Sequence, residues 1–436
     1  MEISELYRLF LEHPVVTTDS RDCPKGSIFV ALKGTSFDGN AFAMKALEQG
    51  CAFAVVDEDK YAIAGDKRYI IVKDALKTLQ DLAHYHREQL KTPVIEITGT
   101  NGKTTTKELT SAVLSKTHNV LFTQGNLNNQ IGVPKTLLRL TREHDIAVIE
   151  TGASHPGDIK ELADIVDPDY GIITNVGKAH IAGFGSFEGV IKTKGELYDY
   201  LRNKPKAKVF INNDNPYLNK IAAGLKLVRY GKEVETGDLS VFGEIIECNP
   251  FLKFRWHKKG GEWYTVQTHL IGSYNIDNAL AAITIGTYFG VPSADVNAAL
   301  ESYEPSNNRS ELVKTAANTL IVDAYNANPT SMDAALKNFE LIKADKKMVI
   351  LGDMKELGSI SADEHQKVVG ELAKASDIDS VWLVGPDFCA THHGDFRTFR
   401  NVNEVEAAIR EHKPEGYTIL IKGSNSMKLF QLPEQL

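Results

Sequence analysis

A chain of 436 residues, 42% of them hydrophobic and 24% charged, exceeds one core of roughly 150 residues, and its composition is wrong for a collagen, a coiled coil or a disordered chain. The formal net charge of −8 leaves no basic surplus for a nucleic-acid backbone or an anionic membrane surface, so neither is expected as a partner. Cys23, Cys51, Cys248 and Cys389 are scattered, with no CxxC pair and no zinc spacing, which predicts free thiols in a reducing compartment.

In chain order, Met1 to Phe10 carries Glu2, Glu5 and Arg8 and so has no signal-peptide core. No uncharged apolar run reaches the roughly 18 residues that a membrane span needs. A cytoplasmic protein without membrane insertion is expected, and a monomer. Ser27 to Leu32, Cys51 to Val56 and Tyr69 to Val72 read as strands of a small first unit, with a helix around Phe42 to Gln49. A polar helical segment, Leu82 to Leu90, is broken by Lys91-Thr92-Pro93. A second unit follows, with strands at Val94–Thr98, Ile146–Glu150, Gly171–Thr174 and Val209–Asn212 alternating with helices. Short Val/Ile-rich runs between helices are the pattern of buried parallel sheet, and ligands bind such sheets at the carboxyl ends of the strands. Between about Leu225 and Leu270 the period becomes alternating, and two such runs flank the turn signal Lys258-Lys-Gly-Gly. This predicts an antiparallel β appendage. After Pro305-Ser-Asn-Asn the α/β pattern restarts with Leu320–Asp323, Met348–Leu351, Val381–Val384 and Thr418–Ile421.

The expected fold class is therefore α/β in three domains. Residues 1–91 form a small amino-terminal α/β domain, 92–308 a central P-loop-type, mostly parallel sheet with the antiparallel appendage, and 309–436 a Rossmann-like domain.

The sharpest local signal is Gly99-Thr100-Asn101-Gly102-Lys103-Thr104-Thr105, between a strand and a helix read as starting near Thr106. Backbone N–H groups and the positive helix end of such a loop face a phosphate chain. Lys103 suits the β- and γ-phosphates, and the Thr104 hydroxyl is a hard oxygen ligand for Mg²⁺. Ile97 stands where the generic Walker pattern has glycine, and a glycine-bearing turn with an exposed lysine is the plain alternative. Glu150 ends a strand where a carboxylate can meet Mg²⁺ in phosphoryl transfer or simply be solvated, and His180 follows the next strand as either a ligand or a structural histidine.

Thr98-Gly-Thr-Asn-Gly-Lys-Thr-Thr105 resembles the loop of the Mur ligase superfamily, and the likeness runs over almost the whole chain. The resemblance implies ATP as cosubstrate, two Mg²⁺ ions held by Thr104, Glu150, His180 and a carbamylated Lys194 rather than Lys192, and catalytic roles for Lys103, Glu150, His180 and Lys194. It also implies that Asn278, in Tyr274-Asn-Ile-Asp-Asn-Ala-Leu-Ala-Ala, lies near adenine and that Arg309 and Asp323 contact the nucleotide; helix capping and surface charge are the plain alternatives. Thr18-Asp-Ser20-Arg21 looks like the uridine-diphosphate grip of the members with such an amino-terminal domain. Gly125-Asn126-Leu-Asn128-Asn129 and Asp323-Ala-Tyr-Asn326-Ala-Asn328 resemble the members that add D-alanyl-D-alanine to a UDP-N-acetylmuramoyl tripeptide. Leu351-Gly-Asp353-Met-Lys-Glu356-Leu-Gly agrees with them, while Asn425 stands where many carry arginine. The rival expectations are the family member adding the third peptide residue and, in another class, a P-loop ATPase switch that makes no covalent product.

Overall fold

The computed structural model describes residues 1–305 and 309–436. The predicted join at 308/309 falls at residues 306–308, outside the described residues. Three sheets organise the chain. The first is four-stranded and wholly parallel, from Val16–Thr17 through Ile28–Val30 and Phe53–Val56 to Tyr69–Ile71. Val30, Ala54, Val55 and Val56 are buried, as sheet residues covered on both faces must be.

The central sheet has nine strands, and Val94–Thr98 lies inside it between Ile146–Glu150 and Tyr170–Ile173. Each of these three strands carries the chain to the same edge, where the segments after Thr98, Glu150 and Ile173 come together. The alternating region adds to the central sheet: Leu227–Gly231 pairs in parallel with both Lys208–Asn212 and Leu239–Cys248 before the antiparallel part begins. Only the next two strands, Phe251–Lys258 and Tyr264–Ile271, are antiparallel, and Gly260 turns the hairpin between them at φ 68°. Trp256, Phe254 and Val266 pack from this hairpin into one cluster with Leu109, Val113 and the helix Asn275–Tyr288.

The third sheet has six strands, in the order Glu311–Lys314, Thr319–Asp323, Thr418–Lys422, Lys347–Gly352, Ser380–Val384 and Arg397–Phe399. All its pairings are parallel except the first. Its two apolar faces are covered separately, one around Phe339, Val349 and Phe388, the other around Ile350, Trp382 and Leu429.

The helix joining the first two sheets, Ala75–Leu90, is longer than its sequence suggests and does two jobs. Asp74 caps its start by accepting from the Lys77 N–H, and Lys91 ends it in the left-handed region at φ 54°. Its Leu79, Leu82 and Ala83 share one hydrophobic cluster with Ile28 and Val55 of the first sheet, with Ile149 of the second, and with Leu137 and Leu162 of the helices Gly132–Leu137 and Asp158–Val166.

Candidate active site

Gly99 to Thr105 turns from the strand Val94–Thr98 into the helix Lys103–Leu114, which begins earlier than its sequence suggests. Two glycines make the turn possible. Gly102 sits at φ 77°, and a Cβ there would fall 2.4 Å from Asn278 Oδ1. Gly99 sits at φ 144°, and its Cβ would meet Thr174 Oγ1 at 2.0 Å. The loop is braced from the neighbouring strand end. Thr174 Oγ1 donates to Asn101 O at 2.6 Å, Asn175 Nδ2 donates to the same oxygen at 3.0 Å, and Asn101 N–H donates to Asn175 Oδ1 at 3.0 Å. Thr100 Oγ1 accepts from Gly177 N–H at 3.0 Å. Thr105 lies on the cleft wall with the rest of the loop.

Lys103 folds back over this loop, its ammonium donating to Gly99 O at 2.9 Å and Thr100 O at 3.0 Å. Burial pushes its pKa down; Glu150 opposes the shift and Arg309 adds to it. Glu150, 1% exposed, accepts at Oε1 from Thr104 Oγ1 at 3.1 Å and from Asn128 Nδ2 at 2.8 Å. Its other oxygen, Oε2, is buried with no hydrogen-bond partner among the described residues. A buried carboxylate oxygen left in this way is costly unless a cation or donor meets it. With the Thr104 hydroxyl beside it, the corner has the hard oxygen donors that fit Mg²⁺.

His180 and Lys194 line the same cleft, of about 520 Å³. His180 opens the short helix Ile181–Phe184 with φ 51°, and its Nδ1 lies against the carboxylate of Glu356 from the third sheet. Burial lowers the His180 pKa; Glu356 opposes this, while Lys103 and Lys194 reinforce it. Lys194 is 2% exposed on the helix Phe187–Arg202, whereas Lys192 on the same helix is exposed to solvent. No hydrogen bond or ion pair of the Lys194 amine occurs among the described residues; Phe184 lies 5.6 Å from it, ring centroid to Nζ. Burial, with Lys103 as a second cause, pushes its pKa well down.

The opposite wall comes from the third sheet and the helix Asn275–Tyr288. Asn278 Oδ1 accepts from Thr106 Oγ1 at 3.0 Å and its Nδ2 donates to Asn275 Oδ1 at 2.8 Å, so Asn278 ties that helix to the loop. Arg309 stacks on Tyr325, with 3.7 Å from the guanidinium carbon to the ring centroid. Asp323 Oδ2 accepts from Lys422 Nζ at 2.6 Å. Asn326 is exposed on the cleft wall, its Oδ1 held by Ala327 N–H at 2.9 Å. Asn328 is 3% exposed: its Oδ1 caps the helix Pro329–Leu341 through Ser331 N–H at 2.9 Å, and its Nδ2 donates to Asn101 Oδ1 at 2.7 Å.

Of the Asn-rich loop, Asn128 and Asn129 face the cleft and Asn126 does not. Asn129 Oδ1 accepts from Gly132 N–H at 2.9 Å, starting the helix Gly132–Leu137. Ser20 and Arg21 lie outside the cleft, after the strand Val16–Thr17. Arg21 is largely exposed and bonds Asp19 at 2.7 and 2.9 Å, which holds the Asp19 carboxyl below its usual range; Lys135 contributes further in that direction. Asn425 is exposed off the cleft wall.

Sequence reasoning passes over several residues that build the site. Thr174 and Asn175 brace the loop, Lys422 pairs Asp323, and Glu356 meets His180. Asp158 lines the cleft and accepts from Ser154 and His155 N–H groups, both at 2.8 Å. For Thr174 and Asn175 a signal existed, since polar residues end a buried strand at the ligand edge.

Three family models match the chain: Mur ligase family, catalytic domain, over 14–87; Mur ligase middle domain, over 97–286; and Mur ligase, glutamate ligase domain, over 308–425. The chain is 35% identical over 432 residues to UDP-N-acetylmuramoyl-tripeptide--D-alanyl-D-alanine ligase of Bacillus subtilis (strain 168), covering 97% of this chain and 92% of that protein. It is also 35% identical over 441 residues to the ligase of the same name from Escherichia coli (strain K12), covering 97% and 93%. Among solved structures, MurF from Acinetobacter baumannii superposes with a TM-score of 0.85 at 33% identity, over 96% of this chain and 93% of that one.

Proposed function

The chain belongs to the Mur ligase family, and from that premise we propose that it joins D-alanyl-D-alanine to a UDP-N-acetylmuramoyl tripeptide, consuming ATP and releasing ADP and phosphate. The observation that carries the reading is the meeting in one cleft of the Gly99–Thr105 loop, the Glu150–Thr104 corner and the Asp323–Asn326 segment of the third sheet. Near-full-length likeness to the dipeptide-adding ligases supports the choice of substrates.

On this reading residues 1–91 hold the UDP-muramoyl end, with Ser20 and Arg21 at the diphosphate. Residues 92–308 hold the nucleotide through Gly99 to Thr105 and Asn278. Residues 309–436 bring Arg309 and Asp323 to the nucleotide and Asn326 to the incoming dipeptide. Asn326 is the better candidate of the two third-domain asparagines, because the amide of Asn328 is already spent on capping and on Asn101. The family-model matches support a division near 91 and near 308.

The tripeptide carboxylate attacks the γ-phosphorus of ATP, forming an acyl phosphate and ADP. Lys103 moves from the loop carbonyls to the phosphate chain and offsets its developing negative charge. The dipeptide amine then attacks the acyl carbon, and the tetrahedral intermediate expels phosphate to leave the amide. Residues Thr104, Glu150, His180 and a carbamylated Lys194 would hold Mg²⁺, which supplies charge neutralisation on the phosphates. Burial lowers the pKa of the Lys194 amine and so favours the neutral form, which can add CO₂ with loss of a proton and become an anion suited to that donor set.

The test is incubation with ATP, UDP-muramoyl tripeptide and D-alanyl-D-alanine, with the product weighed by mass spectrometry. A mass equal to the two substrates joined less one water is expected. Ligation of a single diamino acid to a UDP-muramoyl dipeptide instead would move the protein to the third-residue-adding member, and ATP turnover with no joined product would move it to a switch.

A further inference from the structure

Six residues other than glycine adopt the left-handed backbone region among the described residues, and two of them face each other across the boundary between the central and third sheets. His180 has φ 51° and Glu356 has φ 66°. Such conformations are costly for side chains with a Cβ and persist only where the surroundings enforce them. Here both sides are fastened. Glu356 belongs to the turn after the strand Lys347–Gly352, and that turn is pinned to its own domain at every step. Asp353 accepts from Phe388 N–H at 2.9 Å and pairs with Lys355 at 2.8 Å. Met354 N–H donates to His365 Nε2 at 3.0 Å, and Lys355 N–H donates to Ser424 Oγ at 3.0 Å. From this mount the turn makes two contacts with the central domain: Glu356 O accepts from Ala182 N–H at 3.1 Å, and the Glu356 carboxylate lies in ion-pair contact with His180 Nδ1, a buried nitrogen with no hydrogen-bond partner among the described residues.

A histidine has two ring nitrogens, and an acceptor on one fixes both the tautomer and the direction of the other. We propose that Glu356 is a positioning residue: seated with the third domain, it accepts the Nδ1 proton of His180 and fixes Nε2 as the free donor atom of the cleft, so that domain seating completes the divalent-cation site. This rests on the reading of His180 as a metal ligand. The third domain then does more than carry a substrate. It sets the geometry of a ligand that lies in another domain, and linkage requires the reciprocal effect, that the bound cation favours the seated arrangement.

The experiment measures Mn²⁺ affinity of the full-length protein with ADP present, by paramagnetic resonance titration, for wild type, His180→Ala, Glu356→Ala and Glu356→Gln. Glu356 is 59% exposed in its side chain, so the variants should fold. The expected result is a loss of about tenfold or more for Glu356→Ala, in the range for removing a carboxylate behind a metal-bound histidine. Glu356→Gln, which keeps an acceptor without the charge, should lie between wild type and alanine. Melting temperature and metal-free ADP affinity should stay unchanged. X-ray scattering should show Mn²⁺-dependent compaction in wild type and none in Glu356→Ala. If His180→Ala weakens Mn²⁺ and Glu356→Ala leaves it within about twofold of wild type, the positioning role is overturned and the metal reading stands. If His180→Ala has no effect, the metal reading itself falls. Equal loss of metal-free ADP binding in Glu356→Ala would make the contact structural, and absence of compaction in wild type would overturn the coupling to domain seating.

Discussion

Lys103 satisfies its ammonium on two carbonyls of its own loop, Gly99 O and Thr100 O, so the charge is held at the turn before any phosphate arrives. Removing it leaves the loop braced by Thr174 and Asn175. Lys103→Ala should therefore melt within a few degrees of wild type while losing more than about 100-fold in ligation rate, the scale of one electrostatic contact to a developing charge. Steady-state kinetics beside a melting curve checks both halves. Lys194 differs in kind, because its amine is buried with no hydrogen-bonding partner among the described residues to stabilise a positive charge. Lys194→Ala should be inactive and should regain part of its rate when millimolar acetate or formate is added, since a small carboxylate can occupy the place of a carbamate. Full activity without any addition would refute the modification.

Among the elements, the strand Val94–Thr98 carries a carboxyl where a buried parallel sheet wants an aliphatic side chain. Glu96 accepts from Thr151 Oγ1 at 2.8 Å, its second oxygen is unpartnered among the described residues, and burial pushes its pKa up to about 8. The folded protein thus binds a proton that the unfolded chain releases near 4.5. Stability contributed by this group is intact below that pH, falls as pH rises toward 8 and levels off above it, by an amount on the order of a few kcal/mol. Glu96→Gln should raise the melting temperature at pH 8 and change it little at pH 5; an equal shift at both would sink the assignment. Central strands of this kind were legible in the sequence, as Val94–Thr98 and Ile146–Glu150 coincide with the predicted runs. The strands without a signal are Val16–Thr17, Val120–Phe122, Glu311–Lys314 and Arg397–Phe399, and every one is the edge of its sheet. These four are only two to four residues long and partly exposed, too short to write a distinct strand pattern. The candidate site divides the same way. The Gly99–Thr105 loop is local in sequence and was readable, whereas the meetings of Asn101 with Asn328 and of His180 with Glu356 depend on how two domains sit together.

For the whole molecule, the two inter-domain seams differ in character. Helix Ala75–Leu90 binds the first sheet to the second through a shared apolar cluster, reinforced by His86 Nε2 with Leu140 O at 2.8 Å and by Arg87 with Asp169 at 2.8 Å. The third domain meets the second through polar pairs, Asn328 with Asn101 and Lys178 with Glu364 at 2.7 Å, and through a smaller apolar contact in which Ile271 and Phe251 of the central sheet join the cluster around Ile321 and Phe339. A seam held mainly by polar pairs opens more readily than one built on a continuous apolar cluster. On the proposed reading the third domain is the part that moves when the site closes. On the same proposed reading the first two domains act as a fixed caliper, with one jaw at Arg21 and the other at the Glu150–Thr104 corner. A substrate is gauged by its length along that span, and no motion of the third domain can change the gap. A UDP-muramoyl dipeptide is one residue, roughly 3.3 Å, too short, and a misplacement of even 1 Å can cost about 100-fold. With D-alanyl-D-alanine saturating, ADP release on the dipeptide should fall more than about 100-fold below the tripeptide rate, and raising the amine concentration should recover none of it, because the shortfall lies between two jaws that share a core.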